Sequence, residues 1–235
     1  MCGRFTTTTP ADDVARYFEV DEVVVDPQPP RWNVAPTDPV LGIAQVGDVR
    51  RLGTFRWGLV PHWAEGPQVG ARMINARAET LLDKPAFRRP LARSRCIVPA
   101  DGFYEWEARP GRSKQVWHLR RRDGGLLAFA GLWATWRGGE DPADRLVSCS
   151  IITTSANEVL APIHDRMPVV LPSDAWGEWL DPANDDVDDL VSLLVPAAAD
   201  VLERIPVGPA VGNVANDGPE LIEPVEPEVA ELFPA

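Results

Sequence analysis

The chain has 235 residues, 45% hydrophobic and 25% charged, which is the composition of a folded globular protein and excludes wholesale disorder. No stretch approaches the ~18 consecutive apolar residues of a membrane-spanning helix, so no membrane partner is expected. The net charge of −12 argues against nucleic acid at first sight, but residues 171–235 carry −14 and residues 50–122 carry +10. A basic middle permits a phosphate-binding face without demonstrating one, because most charge runs are only solvated.

Met1-Cys2-Gly3-Arg4-Phe5-Thr6 opens on polar sequence with no apolar signal core, so the expected compartment is the cytoplasm. The length predicts a single domain over 1–235, with an acidic C-terminal part, about 181–235, packing on it or trailing from it. Thr9-Pro10-Ala11-Asp12 reads as an N-cap followed by proline at the first helical position, and predicts a short helix to about Phe18. Val23-Val24-Val25 predicts a brief strand, ended by Asp26-Pro27-Gln28-Pro29-Pro30, and Arg31-Trp32-Asn33-Val34-Ala35-Pro36 reads as a loop. Strand-like runs follow at Val40–Val46, Val49–Leu59, Arg95–Val98, Gln115–Leu119, Leu126–Trp133 and Leu146–Thr153, with turns at Asp123-Gly124-Gly125 and Gly138-Gly139. Ser155-Ala156-Asn157-Glu158 has the form of a capping box and predicts a helix stopped near Pro162. Ser173 is expected to cap Asp174–Leu180, and a last helix is expected over Asp185–Val195. The Pro- and Glu-rich run Glu223–Glu228 is expected to be mobile. Many strands with a few short helices predict an α+β fold: a mixed, mostly antiparallel β-core of barrel-like shape with short peripheral helices. No P-loop or GxGxxG motif is present, and no cofactor is implied.

Cys2 is the most unusual residue. Removal of Met1 leaves it with an α-amine and a thiol two carbons apart, a pairing no internal residue has. The amine condenses with an aldehyde to a Schiff base, and the thiolate then closes a five-membered thiazolidine. The same pair also suits an N-terminal-nucleophile amidohydrolase or peptidase, so the residue type alone leaves both chemistries open. Cys96 and Cys149 are too widely spaced from it and from each other to form a disulfide framework or a zinc motif. His62, His118 and His164 also lack ligand spacing, so no metal is expected.

Glu105 stands among aromatics in Gly102-Phe103-Tyr104-Glu105-Trp106, where a buried carboxyl would serve as an acid near neutral pH. Period-two alternation puts Phe103, Glu105 and Glu107 on one face, which does not by itself bury Glu105. His164 and Arg166 in Ile163-His164-Asp165-Arg166-Met167-Pro168 offer a proton carrier and a phosphate ligand. On an extended segment Asn75 and Arg77 point to one face, suited to orienting Cys2 and gripping phosphate. Most of the nine tryptophans are expected in the core.

Taken in order, MCGRF at 1–5, WNVAP at 32–36, RWGLVPHW at 56–63, INARAET at 74–80, RCIVPADGFYEW at 95–106, FAGLW at 129–133, IITTSAN at 151–157, IHDRMPVVL at 163–171 and VGNVANDGPELIEPV at 211–225 resemble the SOS-response-associated peptidase family, the abasic-site processing proteins. The resemblance implies autocatalytic loss of Met1 and a covalent thiazolidine link from Cys2 to abasic sites in single-stranded DNA. It implies that Asn75 positions Cys2, that Glu105 promotes Schiff-base formation, ring closure and Met1 excision, and that His164 assists proton transfer and reversal. It assigns Arg4, Arg77 and Arg166 to phosphates, and Asn33, Trp63 and Thr153 to the DNA channel. The partner it implies is single-stranded DNA carrying abasic sites; the chain itself is expected to be a monomer.

Overall fold

The computed structural model describes residues 2–25, 27–111, 113–138 and 144–226. Met1, Gly139 of the expected Gly138-Gly139 turn, and the end of the Glu223–Glu228 run lie outside them. In chain order the strands are β1 (Phe5–Thr7), β2 (Glu22–Val23), β3 (Arg31–Val34), β4 (Pro39–Val46), β5 (Val49–Trp57), β6 (Asn75–Arg77), β7 (Arg95–Ala100), β8 (Gly102–Glu107), β9 (Gln115–Arg121), β10 (Leu127–Arg137), β11 (Arg145–Ser155), β12 (Arg166–Pro168) and β13 (Leu202–Val207). The α-helices are α1 (Ala11–Tyr17), α2 (Pro85–Arg93), α3 (Trp176–Leu180) and α4 (Val187–Ser192).

The apolar runs pair side by side and close into a barrel. Strands β11, β10, β7, β4 and β5 pair in that order, and a parallel contact of Ser148 with Arg56 and Cys149 with Trp57 joins β11 back to β5. Alternation along the strands separates two cores. Ile43, Ile97 and Ala130 face the helices, packing with Phe18, Phe87, Leu91 and Trp179. Cys96, Val98, Phe129 and Cys149 face the other way, towards Phe5 and Phe103. Those last two belong to a second sheet of order β13-β9-β8-β1-β3. The fold is α+β, with the helices short and peripheral.

The second sheet places the site. Its strand β1 lies between β8 and β3, with Phe5 opposite both Phe103 and Val34. A chain start normally frays unless a sheet holds it. Here Asp101 adds a second tie: its carboxylate accepts the Thr8 and Thr9 backbone N–H groups at 2.6 and 3.2 Å and the Thr9 hydroxyl at 2.6 Å. Thr9 is therefore not the helix cap expected of it; Pro10 holds that position and no side chain caps α1.

Other expectations are corrected as well. The 31–36 segment starts with strand β3, because Tyr104 Oη donates to the Trp32 carbonyl at 2.8 Å and Phe5 pairs with Val34. The Ser155 capping box forms no helix: Ser155 ends β11, and the Asn157 carboxamide instead accepts the Val159 and Leu160 N–H groups at 3.1 Å each, making only turns. Ser173 caps nothing; it begins a 3-10 turn leading into α3. Helix α4 is shorter than expected and is capped by Asp186, which accepts from the Asp188 and Asp189 N–H groups. The acidic end packs on the rest through residue 226. Strand β13 joins β9, and Val207, Val211 and Leu221 bury Tyr104 and Val116.

His118 on β9 is sealed beside Tyr104, where a side chain on Gly102 would lie 2.3 Å from its Nε2. Burial, helped by the Arg120 charge, lowers its pKa from 6.5 to about 4. The unfolded chain takes up this proton below pH 6.5 and the fold does not. Stability is therefore full above pH 6.5 and falls towards pH 4, by about 3 kcal/mol. Urea midpoints at pH 7, 5.5 and 4 should fall by more in the wild type than in His118→Gln.

Candidate active site

Three strands and one turn bring the predicted chemistry together. The Tyr104 backbone N–H donates to the Arg4 carbonyl at 3.0 Å, and continuing that antiparallel register carries Cys2 alongside Glu105 and Trp106. Asn75 opens β6, which runs parallel to β11 with Asn75 opposite Ile151. The Trp57 indole donates to the neighbouring Ile74 carbonyl at 2.9 Å and fixes the approach to Asn75. Asn75 Nδ2 then donates to the Cys2 carbonyl at 2.8 Å. The same side chain's Oδ1 is buried and accepts no hydrogen bond among the described residues. The Asn75 amide thus grips the Cys2 backbone and presents an open acceptor at the same place.

Glu105 is 3% exposed. Alternation alone left its face undecided; the structure buries it, while Glu107, on the same face of β8, is only half-buried. Burial raises its pKa, and the His164 imidazole opposes that shift. The Cys2 thiol is raised by burial first and by the Glu105 charge second, so it is held as a neutral thiol. Cys2 has no exposed surface. While Met1 is attached, its nitrogen is a peptide amide rather than an amine, and an aldehyde meets neither nucleophile. This is a closed site with its parts assembled.

His164 is partly exposed and follows the turns after β11. Its Nδ1 accepts the Arg166 backbone N–H at 2.9 Å, which puts the proton of the neutral ring on Nε2. The exposed Asp165 carboxylate also lies 2.8 Å from Nδ1. The two contacts exclude each other, since one uses a lone pair and the other a proton. The backbone bond belongs to the resting state, because the exposed Asp165 carboxylate can turn to water.

The rim is basic but already partnered in part. Arg77 is exposed at the end of β6. Arg166 makes two parallel bonds to Glu79, at 2.6 and 2.9 Å, and donates to the Thr153 carbonyl at 2.7 Å. Thr153, expected in a DNA channel, is fully buried and instead supports Arg166, accepting it on its hydroxyl at 3.3 Å. Asn33 is also fully buried: Nδ2 faces the carbonyls of Val211, Asn213 and Asn216 at 2.8 to 3.2 Å. It holds the C-terminal segment through these bonds. Arg4 is half-buried and turned the same way, donating to Asn33 Oδ1 and the Val211 carbonyl at 2.9 Å each. Trp63 is 56% exposed, the one exposed tryptophan among the described residues. Glu79 is the partner that sequence reasoning missed. It stands in INARAET, but nothing in the spacing shows that it reaches Arg166, 87 residues away.

Among the described residues, no three His, Cys, Asp or Glu side chains gather as a metal site requires. No helix of the described residues is long and apolar enough to cross a membrane.

Comparison with known proteins places the fold and the family. A protein from Bacteroides thetaiotaomicron solved by X-ray crystallography superposes with a TM-score of 0.83 at 24% identity, covering 95% of this chain and all of that one. This likeness shows the fold. The Bacillus subtilis abasic site processing protein YoqW is 46% identical over 224 residues, 95% of this chain and 99% of that one. The Escherichia coli abasic site processing protein YedK is 34% identical, over 96% of this chain and all of that one. Residues 1–214 match the family described as SOS response associated peptidase, and the chain belongs to that family.

Proposed function

We propose that this protein captures abasic sites in single-stranded DNA as a covalent thiazolidine at Cys2, after Met1 has been cut away. The observation that carries the reading is the Asn75 amide, bound at 2.8 Å to the Cys2 carbonyl, together with Glu105, a buried carboxyl on the strand against which the chain start is paired. The names of the relatives, abasic site processing proteins, support it. So does the amine inventory: the chain has two lysines, Lys84 and Lys114, so few other amines compete for an aldehyde.

The chemistry balances as follows. Water adds to the Met1 carbonyl carbon, the Met1–Cys2 C–N bond breaks, methionine leaves, and the Cys2 nitrogen becomes an amine. That amine adds to the ring-opened sugar aldehyde to give a carbinolamine. Glu105 in its protonated form gives a proton to the departing hydroxyl, which leaves as water, and an iminium ion remains beside the Glu105 carboxylate. The Cys2 sulfur adds to the iminium carbon, and its proton restores the Glu105 carboxyl. The net change is aldehyde plus aminothiol to thiazolidine plus one water. Asn75 holds the Cys2 backbone through both additions, and His164, on the open side, exchanges protons with solvent. Arg77 and Arg166 grip the flanking phosphates, the latter by exchanging Glu79 for a phosphate oxygen pair. Holding the aldehyde against the amine supplies the effective concentration that makes capture fast.

The test is incubation with single-stranded DNA carrying one abasic site. The expected product is a protein–DNA adduct stable to heat and denaturant. Intact DNA, or DNA whose abasic aldehyde has been reduced to an alcohol, should give none. An equal yield with the reduced site would exclude aldehyde capture.

A further inference from the structure

The Arg166–Glu79 pair at the rim is built unevenly. Arg166 is anchored from beneath: Thr153 is fully buried, and its carbonyl and hydroxyl accept the guanidinium at 2.7 and 3.3 Å. Glu79 is the looser half. It stands in a single 3-10 turn, Ala78–Thr80, with its side chain 53% exposed against 13% for Arg166. When the carboxylate swings into water, the guanidinium keeps its place on Thr153.

The pair also stands at the edge where the two proposed phosphate grips meet. Strands β6 and β12 pair with the same end of β11, where Thr153 lies opposite both Arg77 and Pro168, and Ser155 opposite Arg166. Glu79 follows Arg77 by two residues. Its pKa is lowered, first by the bonds from Arg166 and further by the Arg166 and Arg77 charges, so it is ionised at neutral pH. It accepts Arg166 through two parallel bonds, at 2.6 and 2.9 Å. A phosphodiester offers a guanidinium the same oxygen pair and the same single charge.

We propose that Glu79 is an internal stand-in for a DNA phosphate, one that a strand must displace from Arg166 and whose return shortens the stay of the protein on undamaged DNA. The proposal rests on the abasic-site reading of Cys2 and adds the search that precedes capture. On an intact strand Arg166 exchanges one bidentate anion for another, so the contact adds little net affinity and the returning carboxylate helps to eject the strand. At a lesion the covalent bond forms during the stay, and the return of Glu79 no longer releases the DNA. A short stay matters because undamaged nucleotides far outnumber lesions and compete for the same protein.

Dissociation of an unmodified single strand is timed at low salt by chase with unlabelled strand. Adduct formation on a scarce abasic strand is measured beside it, with and without excess unmodified strand. Glu79→Gln should release the unmodified strand about fivefold more slowly than the wild type and bind it correspondingly tighter, the scale of a half-exposed ion pair. Excess unmodified strand should suppress its adduct formation about fivefold more than that of the wild type. Asp165 is a neighbouring exposed carboxylate that contacts His164. Asp165→Asn should change dissociation less than about twofold, because it removes charge without freeing Arg166. In an Arg166→Gln background, Glu79→Gln should also change it less than about twofold. Unchanged or faster dissociation of Glu79→Gln would make Glu79 neutral or a brace for Arg166, and would overturn the proposal. So would an equal gain from Asp165→Asn, a gain that survives Arg166→Gln, or a wild type that binds no single strand. The expected dissociation rates without any wild-type adduct would instead overturn the Cys2 reading.

Discussion

Cys2→Ala protein that has lost Met1 should give at least ~100-fold less heat-stable adduct than the wild type, while borohydride still traps it on abasic DNA. The variant keeps an α-amine, so the imine forms, but no sulfur is present to close the ring. An imine in water hydrolyses; the thiazolidine persists because a sulfur held two carbons from the nitrogen acts at a very high effective concentration. Cys2→Ser separates the two nucleophiles further. Its hydroxyl is a far weaker nucleophile than a thiol at neutral pH, so its adduct should behave like that of the alanine variant. Gel analysis with and without borohydride reads both. A heat-stable Cys2→Ala adduct formed without reductant would mean that sulfur plays no part.

Glu105→Gln should slow adduct formation about 100-fold, the range expected for loss of a positioned acid and base. The effect follows from burial. The 3%-exposed carboxyl has its pKa raised, so it keeps a proton further towards neutrality than an exposed glutamate does. The acid form acts on the carbinolamine, so the wild-type rate should fall as pH rises through the raised Glu105 pKa. The glutamine variant should lack that limb, because its amide does not titrate. A side chain serving only to fill space would leave the pH profile unchanged, so single-turnover rates across pH distinguish the two roles.

The barrel was legible because its strands are long apolar runs: β4, β5, β10 and β11 fall within a few residues of their predicted bounds. Its barrel-like shape was expected from the strands, but which strands close it was not readable, since only two residue pairs join β11 to β5 across some ninety residues of sequence. Helix α2 escaped because Pro85 and Pro90 read as breaks. Pro85 in fact stands at the first helical position, and Pro90 lies inside the helix, which continues past it without that N–H bond. Strand β13 escaped because Pro206 interrupts it, as an edge strand allows. At the site, residue types were readable and directions were not. Asn75 and Cys2 are 73 residues apart and meet through β6 and β1. Arg4 and Asn33 carry polar groups suited to DNA, but the C-terminal carbonyls take them up. Only the fold determines which partner a polar side chain finds.

The central claim is that a freed amino-terminal cysteine is the attachment point, and the intact mass of the wild-type adduct tests it most directly. The account predicts protein lacking one methionine, plus the oligonucleotide, minus one water, with digestion mapping the DNA to the peptide that begins at Cys2. An adduct that still carries Met1, or one mapped to Lys84 or Lys114, would contradict it.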